Sequence, residues 1–419
     1  MLIKNKILFK FIFILFCLLI FPWPFSKLPG LSLLTEHHSN IFEHLISWFG
    51  YDLLGIESKI SSAATGSGDK IYDYLLLLLF AIISLIGTLL WHFVGNGPRT
   101  YDRLNYILEI ILRYFLAYQM IHYGLFKIIP VQFFEPYYYK LLQPYGQGSL
   151  MGIYWTMMGV SKGYALFAGL LEFFSGILLI HRKTKLLGCL IAIGVLINVV
   201  AINFFYDIPV KLFSLQLLII AVLLTTPYIG RLTKAILADQ GLEKRKTEPL
   251  FFNTGKWVAF SRILKWGFII LLFFTSLSAA VKSYTARTEN KVKIPLYGLY
   301  EIKNSVINKD TLTPRNKFAG SWRYLIVESD KYAQVVQTDM KRNGYEFEVD
   351  SINGKFMMKS FRDSTDVFTF NYIKTDSTLT FFGVVENDTL HYESRILTKK
   401  NFLLMNRGFH WINEYPYNR

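Results

Sequence analysis

The chain has 419 residues, of which 52% are hydrophobic, 17% aromatic and only 18% charged, with 45 basic and 30 acidic side chains. Soluble domains carry about 25% charged residues, so the composition indicates a membrane protein and argues against a disordered or fibrous chain. The two cysteines, Cys17 and Cys189, are too few for a disulfide framework.

Seven apolar stretches are long enough to cross a bilayer core, which takes about 20 helical residues. The first follows three lysines, and no small-residue cleavage site comes after it, so residues 1–30 are predicted to be an uncleaved membrane anchor. The third is the least apolar, because it contains Glu109, Arg113, His122 and Lys127. The predicted spans are Ile7–Phe25, Tyr74–Val94, Tyr106–Ile129, Gly163–Ile180, Leu186–Phe205, Val210–Ile229 and Ile263–Ala280.

The basic residues predict an orientation. With the N-terminus inside, the inner segments contain 16 Lys and Arg and the outer segments contain 6. The sequence therefore predicts a multi-pass protein of a bacterial inner (cytoplasmic) membrane, with a cytoplasmic N-terminus and a periplasmic C-terminal domain. The same bias toward anionic lipid explains most of the net charge of +15, so the bilayer, and no nucleic acid, is the expected partner.

Two outer segments interrupt the predicted spans. Residues 31–70 repeat apolar side chains at helical spacing, which predicts an amphipathic segment on the outer surface. The helical bundle is predicted over 71–281. Within it, residues 131–162 are too polar and too Pro-broken to span, yet too aromatic for a plain loop, which favours an interfacial or re-entrant segment that rests on the bundle.

Residues 291–419 alternate polar and apolar side chains and predict an extracytoplasmic antiparallel β domain, either a meander or a small barrel. Turn sequences such as Asn343-Gly344 separate its short strands. The opening Gly320-Ser-Trp322 resembles the Gly-x-Trp of lipocalins. The predicted strands are Ser321–Val327, Tyr345–Val349, Lys355–Phe361, Val367–Ile373, Thr378–Val385, Leu390–Ile396 and Phe402–Met405.

Placing a charged side chain in the middle of the membrane costs about 2.5–3.5 kcal/mol of insertion free energy. Each ionisable residue inside a predicted span is therefore expected to have a partner or a function. Glu172 lies about 12 Å and Arg113 about 10 Å from the inner ends of their spans. The matching depths predict that these two side chains contact each other. The pair is either purely structural or functional, and both interpretations stay open here.

A second group lies toward the outer ends of the spans. Lys127 either extends to the lipid headgroups or serves a site in the outer half of the bundle. Asn203 and Asp207 flank a short outer turn, and Tyr138 and Trp155 belong to the aromatic segment. We predict an outward-facing pocket lined by these residues. No metal-ligand spacing is present, so no metal site is predicted.

Several of these motifs resemble those of the DoxX family of small four-helix membrane proteins, over the third to sixth spans. Arg113 followed by Tyr123-Gly-Leu-Phe-Lys127 is similar to the first helix of that family. Glu172 followed by Phe-Phe-Ser-Gly176 and by Arg182-Lys-Thr is similar to its second helix and basic turn. The remaining pattern resembles long DoxX-type proteins of Bacteroidetes bacteria.

The resemblance implies a DoxX-like four-helix core, and the family includes the small subunit of a thiosulfate:quinone oxidoreductase. A more distant similarity is to vitamin K-dependent γ-carboxylase, in which a lysine at the position matching Lys127 deprotonates a quinol. The carboxylase reaction is not carried over to this chain. One hypothesis is a quinone-linked redox component, because a quinone needs an apolar slot with a few polar groups, with Lys127, Glu172 and Arg113 as candidate catalytic residues. Quinone would be the cofactor, and a partner would supply electrons. The alternative is a non-enzymatic assembly or anchoring subunit, whose outer β domain binds another membrane or periplasmic protein.

Overall fold

A computed structural model describes residues 2–3, 5–27, 30–94, 98–237, 255–308, 310–312, 322–362, 367–385 and 388–418. The chain forms two compact units, one of Met1–Gln132 with Lys162–Val281 and one of Phe133–Ser161 with Lys282–Arg419. We call them the helical unit and the β-rich unit, because every described strand lies in the second.

The helices were expected from the long apolar stretches, and the structure gives their bounds. They are α1 Lys6–Ile20, α2 Ser32–Trp48, α3 Ile71–Val94, α4 Pro98–Ile128, α5 Tyr138–Leu141, α6 Leu150–Val160, α7 Lys162–Ile180, α8 Lys185–Phe205, α9 Lys211–Thr225, α10 Ile229–Leu237, α11 Gly255–Lys293 and α12 Leu403–Asn406. The amphipathic segment predicted on the outer surface contains α2, followed by a π-helical turn at Phe49–Leu53.

Six helical stretches of the described chain are long and apolar enough to cross a membrane, which supports a multi-pass membrane protein. They are Lys6–Lys27, Ile71–Phe93, Lys162–Ile180, Lys185–Phe205, Lys211–Ala235 and Arg262–Glu289. The third predicted span, Tyr106–Ile129, lies within α4. This helix is long enough, with 31 residues, but it is too polar to be counted by composition. That Tyr106–Ile129 crosses the membrane therefore stays a prediction.

The burial of α4 explains why this helix tolerates charge. Leu108, Leu112 and Leu116 are completely buried on it, one turn apart, in the core of the helical unit. By contrast, α3 exposes large apolar side chains such as Leu90 and Phe93, as expected for a helix that faces lipid. The polar groups of α4 can instead be satisfied by neighbouring helices.

The β-rich unit contains a closed antiparallel barrel. Strands β1 and β3–β9 pair in sequence order, β9 pairs back onto β1, and β2 forms a hairpin with the end of β1. The strands are β1 Gly298–Ile307, β2 Asp310–Leu312, β3 Trp322–Val327, β4 Tyr332–Gln337, β5 Arg342–Asp350, β6 Lys355–Ser360, β7 Val367–Lys374, β8 Thr378–Val385 and β9 Asp388–Leu397.

The antiparallel β domain is confirmed, and two details of its prediction need correction. The predicted strand Phe402–Met405 is wrong, because β9 closes the barrel onto β1 and the chain then turns into the short helix α12. The sequence also missed β1, β2 and β4 as strands. Of the lipocalin-like opening, Trp322 starts β3, and Gly320 lies outside the described residues.

The barrel interior is filled by aromatic rings. Trp322 stacks on Tyr392, with ring centroids 5.1 Å apart, and Phe381 stacks on Tyr392 at 4.9 Å. Phe356, Phe370 and Phe381 have at most 1% of their surface exposed. These rings therefore fill the part of the barrel interior that they line, as side chains do in a protein core.

The aromatic segment after α4 belongs to the β-rich unit. Tyr138 packs in a buried cluster with Leu299, Tyr324, Ile326 and Val336 on the outside of the barrel. Its backbone N–H donates to Glu328 over 2.7 Å. The segment was expected to rest on the helical bundle. Its residues Phe133–Ser161 cluster with the barrel, and we refer to them as the insertion. A resting place on the bundle stays a prediction.

Candidate functional site

Glycines bring α4 and α7 into direct backbone contact. A Cβ atom added to Gly124 would lie 2.6 Å from the backbone nitrogen of Phe173, and one on Gly169 would lie 2.9 Å from the carbonyl oxygen of Gly124. Gly176 is equally close to Ala117 and Ile121. Small residues at such spacing are typical of helices that pack tightly in membranes.

A buried ion pair lies beside this contact. The Lys127 ammonium donates to both carboxylate oxygens of Glu172, over 2.7 and 2.6 Å, and the two side chains are only 9% and 6% exposed. The Tyr123 ring centroid is 5.9 Å from Lys127 Nζ. Lys127 therefore has a partner inside the helical unit. The interpretation in which its amine extends to the lipid headgroups does not predict this contact.

The predicted contact between Arg113 and Glu172 is wrong. Arg113 donates from Nη2 to the Tyr114 hydroxyl over 3.0 Å and lies over that ring, while Glu172 is taken by Lys127. The Nε of Arg113 is buried and has no hydrogen-bond partner among the described residues. Similar depth along two helices does not ensure that two side chains lie on facing sides.

A second ion pair joins α4 to α8. Lys185 contacts the carboxylate of Glu109, is 2% exposed, and lies 4.9 Å from the ring centroid of Tyr228. The sequence interpretation counted Lys185 only among the basic residues of an inner loop. Its place in the first turn of a helix that follows a tight turn was a usable signal. Together the two pairs tie the central helix α4 to α7 and α8.

The turn between α8 and α9, which was predicted to lie on the outer side, is stabilised by its own polar groups. Lys211 donates to Asp207 over 2.9 Å, and the amide of buried Asn203 donates to the carbonyl of Val210 over 3.4 Å. The predicted proximity of these residues is thus present. The Asp207 side chain is 86% exposed, however, so it faces outward and does not line an enclosed pocket.

The contact of Asp69 with this turn was not predicted from the sequence. Its carboxylate accepts the backbone N–H groups of Lys211 and Leu212, over 2.8 and 3.0 Å, and so caps α9 from 142 residues away. The Gly68 N–H donates to the carbonyl of Pro209. The sequence Thr65-Gly-Ser-Gly-Asp69 is typical of a turn, but no local pattern shows which helix such a turn caps.

Tyr138 and Trp155, the proposed aromatic walls, both lie in the insertion. Tyr138 is 8% exposed within its cluster, and Trp155 packs against Phe133 with ring centroids 5.3 Å apart. Burial raises the pKa of the Tyr138 phenol, and the Glu328 carboxylate adds to that shift. Burial has the same effect on the pKa of nearby Tyr297. These phenols therefore stay protonated at physiological pH.

The fold and these contacts define a class: a multi-pass helical membrane protein joined to a closed antiparallel β-barrel. No family model matches the chain, and no solved structure matches it. The chain is 32% identical over 133 residues to the uncharacterized protein YwoB of Bacillus subtilis. The aligned stretch covers 31% of this chain and 83% of YwoB. The chain therefore belongs to the same family as YwoB.

Proposed function

We propose that the helical unit is DoxX-like and that the chain is a quinone-linked redox component of a bacterial cytoplasmic membrane. The observation that carries the proposal is the Lys127–Glu172 pair, which is buried within a unit of membrane-type helices. Charged groups are costly there and often mark a functional site. The match to YwoB adds family membership and no activity, since that protein is uncharacterized.

The chemistry of the pair suits a quinone ring. An ammonium group has three N–H donors, and the two described bonds of Lys127 both go to Glu172, which leaves one donor for a ring carbonyl. A quinone, when bound, would supply two-electron, two-proton redox chemistry. Lys127 would hold a proton at Nζ, Glu172 would keep the amine oriented, and the Tyr123 ring would provide apolar contact.

The proposed site is narrower than the outward-facing pocket expected from the sequence. Asn203 and Asp207 each have a partner within their own turn, and Tyr138 and Trp155 pack within the β-rich unit. We therefore assign the ligand contacts to Lys127, Glu172 and Tyr123 alone. Arg113 is not included, since its described partner is Tyr114.

The test is binding of a short-chain ubiquinone analogue to the purified full-length protein in detergent. Lys127→Met should weaken binding roughly ten- to hundredfold, the value of one hydrogen bond from a charged donor. Lys127→Arg should retain part of the affinity. The matched control is Lys59→Met, which changes an exposed lysine of the same unit and should have no effect.

Equal affinity of wild type and Lys127→Met, with the helical content unchanged, would contradict the redox proposal. A lipid extract of the purified protein provides a second measurement. Native quinone should be present for wild type and Lys59→Met and depleted for Lys127→Met.

The alternative function is a non-enzymatic anchoring subunit whose β domain binds another protein, and one observation favours it. The barrel interior is filled by its own aromatic side chains, so among the described residues the barrel can act only through its outer surface. Cross-linking in intact cells from an exposed barrel residue such as Val384 would recover such a partner. If one protein is cross-linked in a fixed ratio to this chain, and to the same extent with and without quinone in the cells, the result would favour the anchoring function.

A further inference from the structure

The C-terminal tail exposes an unusual number of large apolar side chains. Phe409 is 76% exposed, Trp411 90%, Ile412 78% and Tyr415 85%. Isolated exposed apolar residues are ordinary, but four within seven residues form a patch. The tail lies outside the barrel core, which is complete without it.

Polar contacts fold the tail into a closed loop. The guanidinium carbon of Arg407 lies 3.9 Å from the ring centroid of Tyr417, and its Nη2 donates to Asn413 over 2.6 Å. Asn413 in turn donates to the carbonyl of His410, and Phe409 packs on Trp411 with ring centroids 5.0 Å apart. The aromatic side chains are therefore presented by a defined loop, which we call the tail loop (407–417).

The tail starts at the end of the barrel that is joined to membrane helices. The antiparallel pairing of Leu299 with Leu397 places the beginning of β1 and the end of β9 at the same rim. At this rim β1 follows α11, whose stretch Arg262–Glu289 is long and apolar enough to span, with only four residues between the helix and the strand.

The root of the tail contacts the insertion as well. Lys399 Nζ lies 3.4 Å from Glu135 Oε2, and Phe402 packs into the cluster of Tyr138. Glu135 follows Ile128, the last residue of α4, by seven residues, so the chain alone keeps it within about 25 Å of that helix end. The root of the tail is thus held by a segment that follows α4 directly along the chain.

We propose that the tail loop inserts into the interfacial layer of the outer bilayer surface and fixes the barrel against the membrane. Tryptophan and tyrosine are favoured in this layer because their rings are apolar and their polar atoms reach water. Residues 399–418 contain three basic side chains and one acidic side chain, which also suits an anionic headgroup surface. The occupant of the patch is therefore lipid and not a soluble protein.

The experiment uses full-length protein without its two native cysteines, reconstituted in phosphatidylethanolamine and phosphatidylglycerol vesicles. Trp411→Cys is labelled with an environment-sensitive fluorophore. The matched control is Val384→Cys, which is 66% exposed near the opposite rim of the barrel. Each label is quenched in turn by lipid carrying a nitroxide on its acyl chain and by iodide in the aqueous phase.

The label at position 411 should be quenched several-fold more strongly by the lipid quencher than the label at 384, and less strongly by iodide. Arg407→Gln, which opens the loop, should reduce the lipid quenching. Strong quenching by iodide alone at position 411 would overturn the proposal. Protection from both quenchers would also overturn it, since it would show that a protein surface covers the loop.

Discussion

Breaking the Lys127–Glu172 pair should destabilise the helical unit more than any surface substitution. Both charged groups are at least nine-tenths buried, and two hydrogen bonds of 2.6–2.7 Å join them. Glu172→Gln leaves an ammonium group without its counter-charge, and the loss of one partner of a buried pair costs about 3–5 kcal/mol. The double change Lys127→Met with Glu172→Leu leaves no unpaired charge and should recover most of that loss.

The assay is loss of helical circular dichroism as SDS is added to the protein in mixed micelles. The control is Asp207→Asn, which breaks an ion pair of similar length, 2.9 Å, whose acidic partner is 86% exposed. That change should cost less than about 1 kcal/mol. If Glu172→Gln unfolds at the same SDS fraction as the control variant, or if the double variant is less stable than either single one, the pair is not buried as described.

Three further predictions concern orientation, helix packing and pH. In chains without native cysteines, Ser351→Cys should react with an impermeant thiol reagent added outside and Lys183→Cys should not, and the reverse result would invert the topology. Gly169→Leu should separate α4 from α7 and lower the unfolding midpoint, whereas Gly163→Leu, at a position with no neighbour within 4 Å, should not. Burial raises the pKa of Tyr392 to about 12, so the ionisation of this phenol differs between the folded and the unfolded barrel only above about pH 10. The contribution of Tyr392 to barrel stability should therefore fall by roughly 3 kcal/mol between pH 10 and pH 12, and Tyr392→Phe should remove one proton from that dependence.

The sequence predicted the elements better than their partners. Apolar length is enough to identify six spans, and strict alternation identified most barrel strands. Lys127 and Glu172 were both recognised as costly, but the partner of Glu172 was wrongly assigned to Arg113. Depth is a coordinate along a helix axis, whereas contact also depends on the rotation of each helix, which is set here by Gly124 and Gly169.

The insertion illustrates a different limit. Its aromatic composition indicated a segment that covers an apolar surface, and Tyr138 packs against barrel residues that lie far away in the sequence. The Tyr138 N–H meets Glu328, 190 residues later in the chain. Likewise, the cap that Asp69 provides to α9 depends on residues 142 positions away. Local patterns identify a group that needs a partner, and only tertiary structure identifies the partner.

The same separation has a consequence for the order in which the protein is made. At a synthesis rate of about 5–20 residues per second, Glu328 is added roughly 10–40 seconds after Tyr138. The barrel is complete later still, because Leu299 in its first strand must await Leu397 in its last. During that interval the aromatic side chains of the insertion lack their final partners. A chain that stops before β9 would leave β1 and β8 as open edges able to pair with other chains, so we expect such truncated products to aggregate.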